Sequence, residues 1–237
     1  MPSRNVNNSP GKAETSNHRT IYFVRHGQGL EIDTALDLDI RLDPPLSSLG
    51  LQQATQIAER LQKVQFDTLL SSPLRRARET TQIISKATDK QPEYSNLFVE
   101  RIKPTELNGM PRIEKQASSL WQAWEESLYQ TNLRLADGEN YADLIARVDR
   151  AIEYLDLREE QTIVVVTHGF FLRAIIARIL LGDQLSGTLL RTFLNNTSTN
   201  NTGLTAFSLS QEVTQARWKL LYFNDYSHLH AKLDSRL

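Results

Sequence analysis

The 237-residue chain has no cysteine, which excludes disulfides, thiolate metal sites and a cysteine nucleophile and suits a reducing compartment. An excess of one charge is missing too. Lys+Arg 27 against Asp+Glu 28 leaves a formal net charge of -1, without the basic surplus that nucleic-acid-binding domains usually carry. A local basic pocket remains compatible with that balance. No apolar run approaches the ~20 residues of a membrane-spanning helix. Met1 to Arg19, rich in Asn and Ser and with two Pro, lacks the apolar core of a secretory signal. The expectation is a flexible tail over 1–19 and one domain over 20–237, in a soluble, cytoplasmic protein with neither nucleic acid nor membrane as partner.

What is present reads as a single α/β domain. Hydrophobic residues make up 40% of the chain, and a domain of this size buries roughly three quarters of the surface its unfolded form exposes. The apolar run Ile21 to Val24 is a strand. Ser47 or Ser48 can cap a helix with Leu51, Ala54, Ala58 and Leu61 on one face. Phe66 to Leu70 is a second strand, after which Ser72 can cap and Pro73 can open a helix. Pro92, Pro104, Gly109 and Pro111 interrupt an irregular excursion between about Gln91 and Gly138, which includes a helical piece around Trp121 and Trp124. An amphipathic helix over Tyr141 to Leu155 then leads to the strand Thr162 to Val166 and a helix from Phe170 to about Leu181. The polar stretch Asn195 to Thr202 reads as a connector, followed by a closing antiparallel hairpin over Leu204 to Leu209 and Arg217 to Phe223. The fold class is a three-layer α/β sandwich with a mostly parallel central sheet.

Three strand ends carry unusual chemistry. Arg25-His26-Gly27 ends the first strand, Ser72 and a run of arginines follow the second, and Thr167-His168-Gly169 ends the strand at Val166. In open α/β sheets the carboxyl ends of the strands share one crevice, so two imidazoles and several guanidiniums converge. That set repels a metal cation and attracts phosphate. At ~100° per residue, the inward face Leu74, Ala77, Thr81 and Ile84 leaves Arg75 pointing outward and puts Arg76 and Arg78 on its flanks. Arg76, in the first turn near the anion-favouring helix N-terminus, is the expected phosphate ligand.

Together with Asp43-Pro44-Pro45-Leu46, Gln53-Ala54 and Asp137-Gly138-Glu139-Asn140, these motifs resemble the histidine phosphatase superfamily, its phosphoglycerate-mutase-like branch, from Thr20 to about Leu229. The resemblance implies that His26 attacks phosphorus and becomes a phosphohistidine. Arg25, Arg76 and His168 would hold the phosphoryl oxygens, and a carboxylic acid would protonate the leaving group, with no metal and no cofactor. Leu97-Phe98-Val99-Glu100 resembles the segment that carries this acid, which makes Glu100 the candidate and Glu106 the competitor. Gln28 and Gly169 complete the binding site, and Arg101 and Lys103, with Pro104 and Arg112, could line its mouth. The expected partner is a phosphorylated small molecule or phosphoprotein.

The family often has Ser or Thr after the position of Gln28, and its mutases carry an Asn a few residues on, where this chain has Gly29 and Ile32; the Tyr-Gly-rich passage that mutases place around their acid is absent as well. The expected activity is therefore phosphomonoester hydrolysis. A mutase and a catalytically idle phospho-ligand-binding or protein-binding relative are the alternatives. A metallohydrolase would need a third clustered ligand. Trp121 and Trp124 read as packing, and His18, His228 and His230 receive no role.

Overall fold

Strands β1 (His18–Arg25), β2 (Thr68–Ser71), β3 (Pro92–Tyr94) and β4 (Thr162–Thr167) run parallel in the order β3-β2-β4-β1, and β5 (Leu204–Ser210) and β6 (Trp218–Asp225) extend the sheet antiparallel beyond β1. The computed structural model describes residues 18–30, 42–108, 110, 115–130, 133–210 and 217–229. Most of the expected tail and Arg112, His230 and Ile32 lie outside them. The tail expectation ran through Arg19, but β1 begins at His18. Arg19 is buried and donates to the carbonyls of Leu155, Asp156 and Glu160.

Successive residues of β4 alternate between two cores. Ile163 and Val165 pack with Phe171, Ile175 and Val148, whereas Val164 and Val166 pack with Ile57, Leu61, Ala77 and Ile84. A parallel strand covered on both faces must be apolar throughout, which explains its unbroken run. Helices α1 (Ser48–Leu61) and α2 (Arg75–Thr88) form one outer layer. The other holds α4 (Tyr141–Asp156), α5 (Gly169–Leu181) and α6 (Gly187–Asn196). Helix α3 (Lys115–Glu126) belongs to the excursion after β3. The result is the expected three-layer, mostly parallel sandwich.

Two helix expectations need correction. Leu51 does not belong to the inward face of α1: it is 47% exposed, and the buried set is Gly50, Gln53, Ala54, Ile57, Ala58 and Leu61. Helix α2 starts at Arg75, with neither a Ser72 cap nor Pro73 in its first turn. Its N-terminus is closed by Asp43, whose carboxylate accepts from Arg75 N–H at 2.9 Å. Ser72 is thereby left for another partner. Helix α6 has no counterpart in the sequence reading.

Register aligns the strand ends. Arg25 pairs with Thr167 and Ser71 with Val166. His26 N–H donates to the Thr167 carbonyl and Ser72 N–H to the Val166 carbonyl, each at 2.9 Å. His26, Ser72 and His168 therefore leave the sheet side by side.

Candidate active site

The loop after β1 is gripped from α1 and α2. Gly27 N–H donates to Thr80 Oγ1 at 3.0 Å and Gln28 N–H to the buried Gln53 Oε1 at 2.9 Å, which accounts for the polar Gln53 on an otherwise apolar helix face. A β-carbon on Gly27 would lie 2.5 Å from the Gly50 carbonyl oxygen, so α1 reaches the loop only because neither position has a side chain.

His26 is 5% exposed, and its Nδ1 lies 2.6 Å from its neighbour's carbonyl oxygen at Gly27. A carbonyl only accepts, so Nδ1 carries the proton and Nε2 keeps its lone pair. Arg76 Nε donates to that Nε2 at 3.0 Å, and Arg76 Nη2 lies 3.0 Å from Nδ1 of His168. The imidazole centroids are 4.9 Å apart at 59°. Since a guanidinium only donates, His168 accepts at Nδ1 and its Nε2–H faces Ser72 Oγ at 2.8 Å. Burial, then the charges of Arg76 and Arg25, hold His26 well below the ordinary imidazole range, only partly offset by the Gly27 carbonyl. Burial and Arg76 lower His168 in the same way. Both rings are neutral at physiological pH.

Arg25 donates through Nη1 to the Thr199 carbonyl at 2.5 Å, while its buried Nε has no partner among the described residues. It packs over Gly169, where a β-carbon would come within 3.0 Å of Arg25 Nε and Thr199 Oγ1. Gly169 thus serves close approach at the start of α5. Arg75 is paired with Glu79 on the surface at 2.9 Å, and Arg78 is exposed.

Glu100 stands at the N-terminus of α5, beside His168. Its carboxylate accepts from the N–H groups of Phe171 at 3.0 Å, Arg101 at 3.1 Å and Phe170 at 3.3 Å, and its charge acts on both Arg25 and Arg76. Glu106 is exposed on a short 3-10 turn. The segment leading to Glu100 is held by Arg147, which donates to the carbonyls of Leu97, Val99 and Glu100 and forms a buried two-pronged pair with Glu139 at 2.7 Å.

The remaining expected contacts fall in different places. Gln28 is half-buried, its backbone carbonyl accepting from Ser47 and its side-chain oxygen 3.5 Å from the Ser47 hydroxyl. Lys103 lines a cleft of about 1550 Å³ that also borders Arg76 and Glu100. Arg101 borders this cleft too, but its guanidinium is turned into the protein, donating to the carbonyls of Glu139 and Trp124 and to Ser127 Oγ. Burial lowers it to about 10.

The sequence reading missed the work of the 195–202 stretch, taken there as a connector. Thr199 receives Arg25, Asn201 Nδ2 donates to the His26 carbonyl at 3.0 Å, and Thr202 N–H donates to the Arg25 carbonyl at 2.9 Å. Asn200, Asn201 and Thr202 are buried. One signal was present. The stretch carries no charge and consists of amides and hydroxyls, the side chains that bond to nearby backbone.

Comparison with known proteins identifies the family. The family model described as histidine phosphatase superfamily (branch 1) matches residues 21–225. The chain is 29% identical over 169 residues to the probable phosphoglycerate mutase GpmB of Proteus mirabilis, and 30% identical over 166 residues to that of Escherichia coli K12. Each match spans 68% of this chain and 74% of the relative. Among solved structures, mycobacterial glucosyl-3-phosphoglycerate phosphatase with inorganic phosphate superposes with a TM-score of 0.67 at 24% identity, over 90% of this chain and 100% of that one. The alpha-ribazole phosphatase of Shigella flexneri gives 0.68 at 20% identity, over 87% and 96%. These structures share the fold. The protein belongs to branch 1 of the histidine phosphatase superfamily, among relatives named as mutases and as phosphatases.

Proposed function

We propose that the protein hydrolyses phosphomonoesters through a covalent phosphohistidine on His26. The observation that carries this reading is the fixed tautomer of His26. With Nδ1–H tied to the Gly27 carbonyl, the lone pair on Nε2 faces Arg76 in a site where the ring stays neutral. Nε2 attacks phosphorus as the ester oxygen departs with a proton from Glu100. Water then attacks the phosphohistidine, Glu100 takes back a proton, and inorganic phosphate leaves.

Phosphoryl transfer depends chiefly on positioning and charge neutralisation. Arg76 and Arg25 can supply these without a metal, and the buried Nε of Arg25 is a donor still to be matched by an acceptor. Arginine suits phosphate because it binds in a two-pronged way. Ser72 both donates and accepts, so it can serve either tautomer of His168: it accepts from Nε2–H as here, and it can donate to Nε2 when water removes that proton and supplies one to Nδ1, where it meets a phosphoryl oxygen as Arg76 turns to the same group. Lys103, which lines the cleft beside Arg76, and Gln28, which follows His26 by two residues, are the substrate contacts of this reading, whereas the Arg101 guanidinium is turned into the protein. The substrate is a phosphorylated small molecule or phosphoprotein met in the cytoplasm, with no nucleic acid or membrane involved.

Gly29, Ile32 and the missing Tyr-Gly-rich passage favour hydrolysis over mutase chemistry. An idle binding role is disfavoured because both histidines, both arginines and a carboxylate are all retained. The test is turnover of an aryl phosphate with chelator present, combined with acid quenching to trap a base-stable phosphoryl label. The label should form on the unaltered protein and vanish in His26→Ala. A label that persists in the variant sinks the assignment, and conversion of 3-phosphoglycerate to its 2-isomer faster than phosphate release would favour the mutase.

A further inference from the structure

Among the described residues, Thr202 is the one β-branched side chain with a left-handed backbone, at φ 57°. Branching at Cβ disfavours that conformation, so it persists only where the surroundings over-determine it, and such residues cluster at functional sites. Thr202 is fully buried, and three bonds hold it. Its N–H donates to the Arg25 carbonyl at 2.9 Å, and its Oγ1 donates to the Asn201 carbonyl at 2.7 Å. The same Oγ1 stands 3.1 Å from Nε2 of His228.

His228 follows β6, and its Nδ1 lies 3.3 Å from Nη1 of Arg60 on α1. A guanidinium only donates, so Nδ1 accepts and the proton of the neutral ring sits on Nε2, facing Thr202 Oγ1. Burial and the charge of Arg60, partly offset by Asp225, lower His228 to about 4, which keeps the ring neutral at physiological pH. Arg60 is fixed in turn by Asp225 Oδ2 at 2.6 Å. Asn224 has a left-handed backbone too, at φ 53°, and grips the same segment from β6. Its Oδ1 accepts from Asn200 N–H at 2.8 Å, and its Nδ2 donates to Asn200 Oδ1 at 2.9 Å. On the side of the active site, Asn201 Nδ2 donates to the His26 carbonyl and the Thr199 carbonyl receives Arg25. The 199–202 segment is thus clasped between the end of β6 and the end of β1.

We infer that His228 is a positioning residue for the active site: by donating to Thr202 Oγ1 it holds Thr202 in its left-handed conformation and thereby fixes the end of β1 that carries Arg25 and His26. His228 acts through Thr202, whose N–H meets the Arg25 carbonyl. The inference rests on the phosphomonoesterase reading for what the positioned groups do, and it adds a residue that reading does not use.

Paired substitutions test it. His228→Phe keeps a ring and loses the Nε2 donor, whereas His228→Gln returns an amide donor in its place. Thr202→Val keeps the branched shape and loses the hydroxyl, whereas Thr202→Ser keeps the hydroxyl. Two quantities are measured at a temperature where circular dichroism finds every variant folded: the rate of phosphoryl-label formation on His26 from an aryl phosphate, and the calorimetric affinity for inorganic phosphate. His228→Phe and Thr202→Val should each lower the labelling rate about tenfold, the size of one matched hydrogen bond, and weaken phosphate binding as well. His228→Gln and Thr202→Ser should restore both quantities to within about twofold of the unaltered protein, and the double variant His228→Phe, Thr202→Val should be no slower than Thr202→Val alone, because the two residues share one bond. Should His228→Phe not fold, His228→Ala takes its place in the comparison with His228→Gln. Labelling and phosphate affinity that stay intact while urea midpoints fall would reduce His228 to a stabilising contact and overturn the inference. A loss that His228→Gln does not repair, or losses that add in the double variant, overturn it equally. The two readings fail separately. No label on the unaltered protein removes the phosphatase reading, and the phosphate affinities then decide the positioning role, whereas a label that forms at one rate in all the variants removes the positioning role alone.

Discussion

Arg76 Nε stands 3.0 Å from Nε2 of His26, the one ring nitrogen that the Gly27 carbonyl does not engage. Through Nη2 the same guanidinium reaches Nδ1 of His168, so one side chain meets the lone pair of both imidazoles, in His26 opposite the Gly27 carbonyl, and helps keep both rings uncharged. The residue just before it, Arg75, makes a surface ion pair with Glu79. Arg76→Ala should lower kcat/KM by about a hundredfold or more, as the loss of a strong charge-stabilising donor does, with Arg75→Ala nearly neutral. Steady-state kinetics on one aryl phosphate decides between them, and the reverse ranking would remove Arg76 from the site.

Glu100 sits at the start of α5 beside His168, while Glu106 is exposed. If Glu100 protonates the leaving oxygen, Glu100→Gln should slow alkyl phosphates far more than an aryl phosphate whose leaving group departs without a proton. Glu106→Gln should leave both rates near those of the unaltered protein. Equal slowing of both ester classes by Glu100→Gln would place the acid elsewhere.

Ser72 Oγ lies 2.8 Å from Nε2 of His168 and also receives Leu74 N–H at 3.3 Å. Its removal takes away the group that lets His168 change from acceptor to donor at Nδ1. Ser72→Ala should reduce kcat about tenfold with little change in KM, and nitrogen chemical shifts of His168 should show an altered tautomer balance in the phosphate-bound protein. An unchanged kcat would mean that His168 is positioned by packing alone.

Three imidazoles are held below their ordinary range: His26 and His168 by burial and the nearby arginines, and His228 by burial and Arg60, to about 4. Between pH 6.5 and these lowered values the unfolded chain binds protons that the folded chain does not. Stability is therefore fullest above ~6.5 and falls as the pH drops, by up to about 1.4 kcal/mol per pH unit for each group. Urea midpoints should decline from pH 7.5 to pH 5, and His228→Asn should make that decline shallower. An unchanged slope in the variant would show that His228 contributes nothing to it.

Local pattern made much of the architecture legible. The run Ile163 to Val166 announces a strand covered on both faces, and the spacing of Leu144, Val148 and Leu155 announces α4, because burial of one face is written directly in side-chain periodicity. Strand ends bearing Arg25-His26, Ser72 and His168 pointed to one crevice for the same reason. The start of α2 was misread because its N-terminus is closed by Asp43, 32 positions away, and no local rule reaches that far. The Glu139–Arg147 pair was equally invisible, since charged residues eight apart read as solvated until packing buries both.

Sequence alone determined the chemistry on offer: two histidines, arginines and glycines at strand ends, a chain without thiols, and a motif set that resembles one superfamily. Side-chain identity and strand periodicity are local properties, and they survive without coordinates. Tertiary structure alone decided which donor meets which acceptor. It set Arg76 against Nε2 of His26 and Nδ1 of His168, committed Arg101 to the backbone behind Trp124, and made the 199–202 segment the support of Arg25 and His26. These outcomes depend on register and burial, which arise only when distant segments compete for the same few hydrogen bonds inside a closed volume.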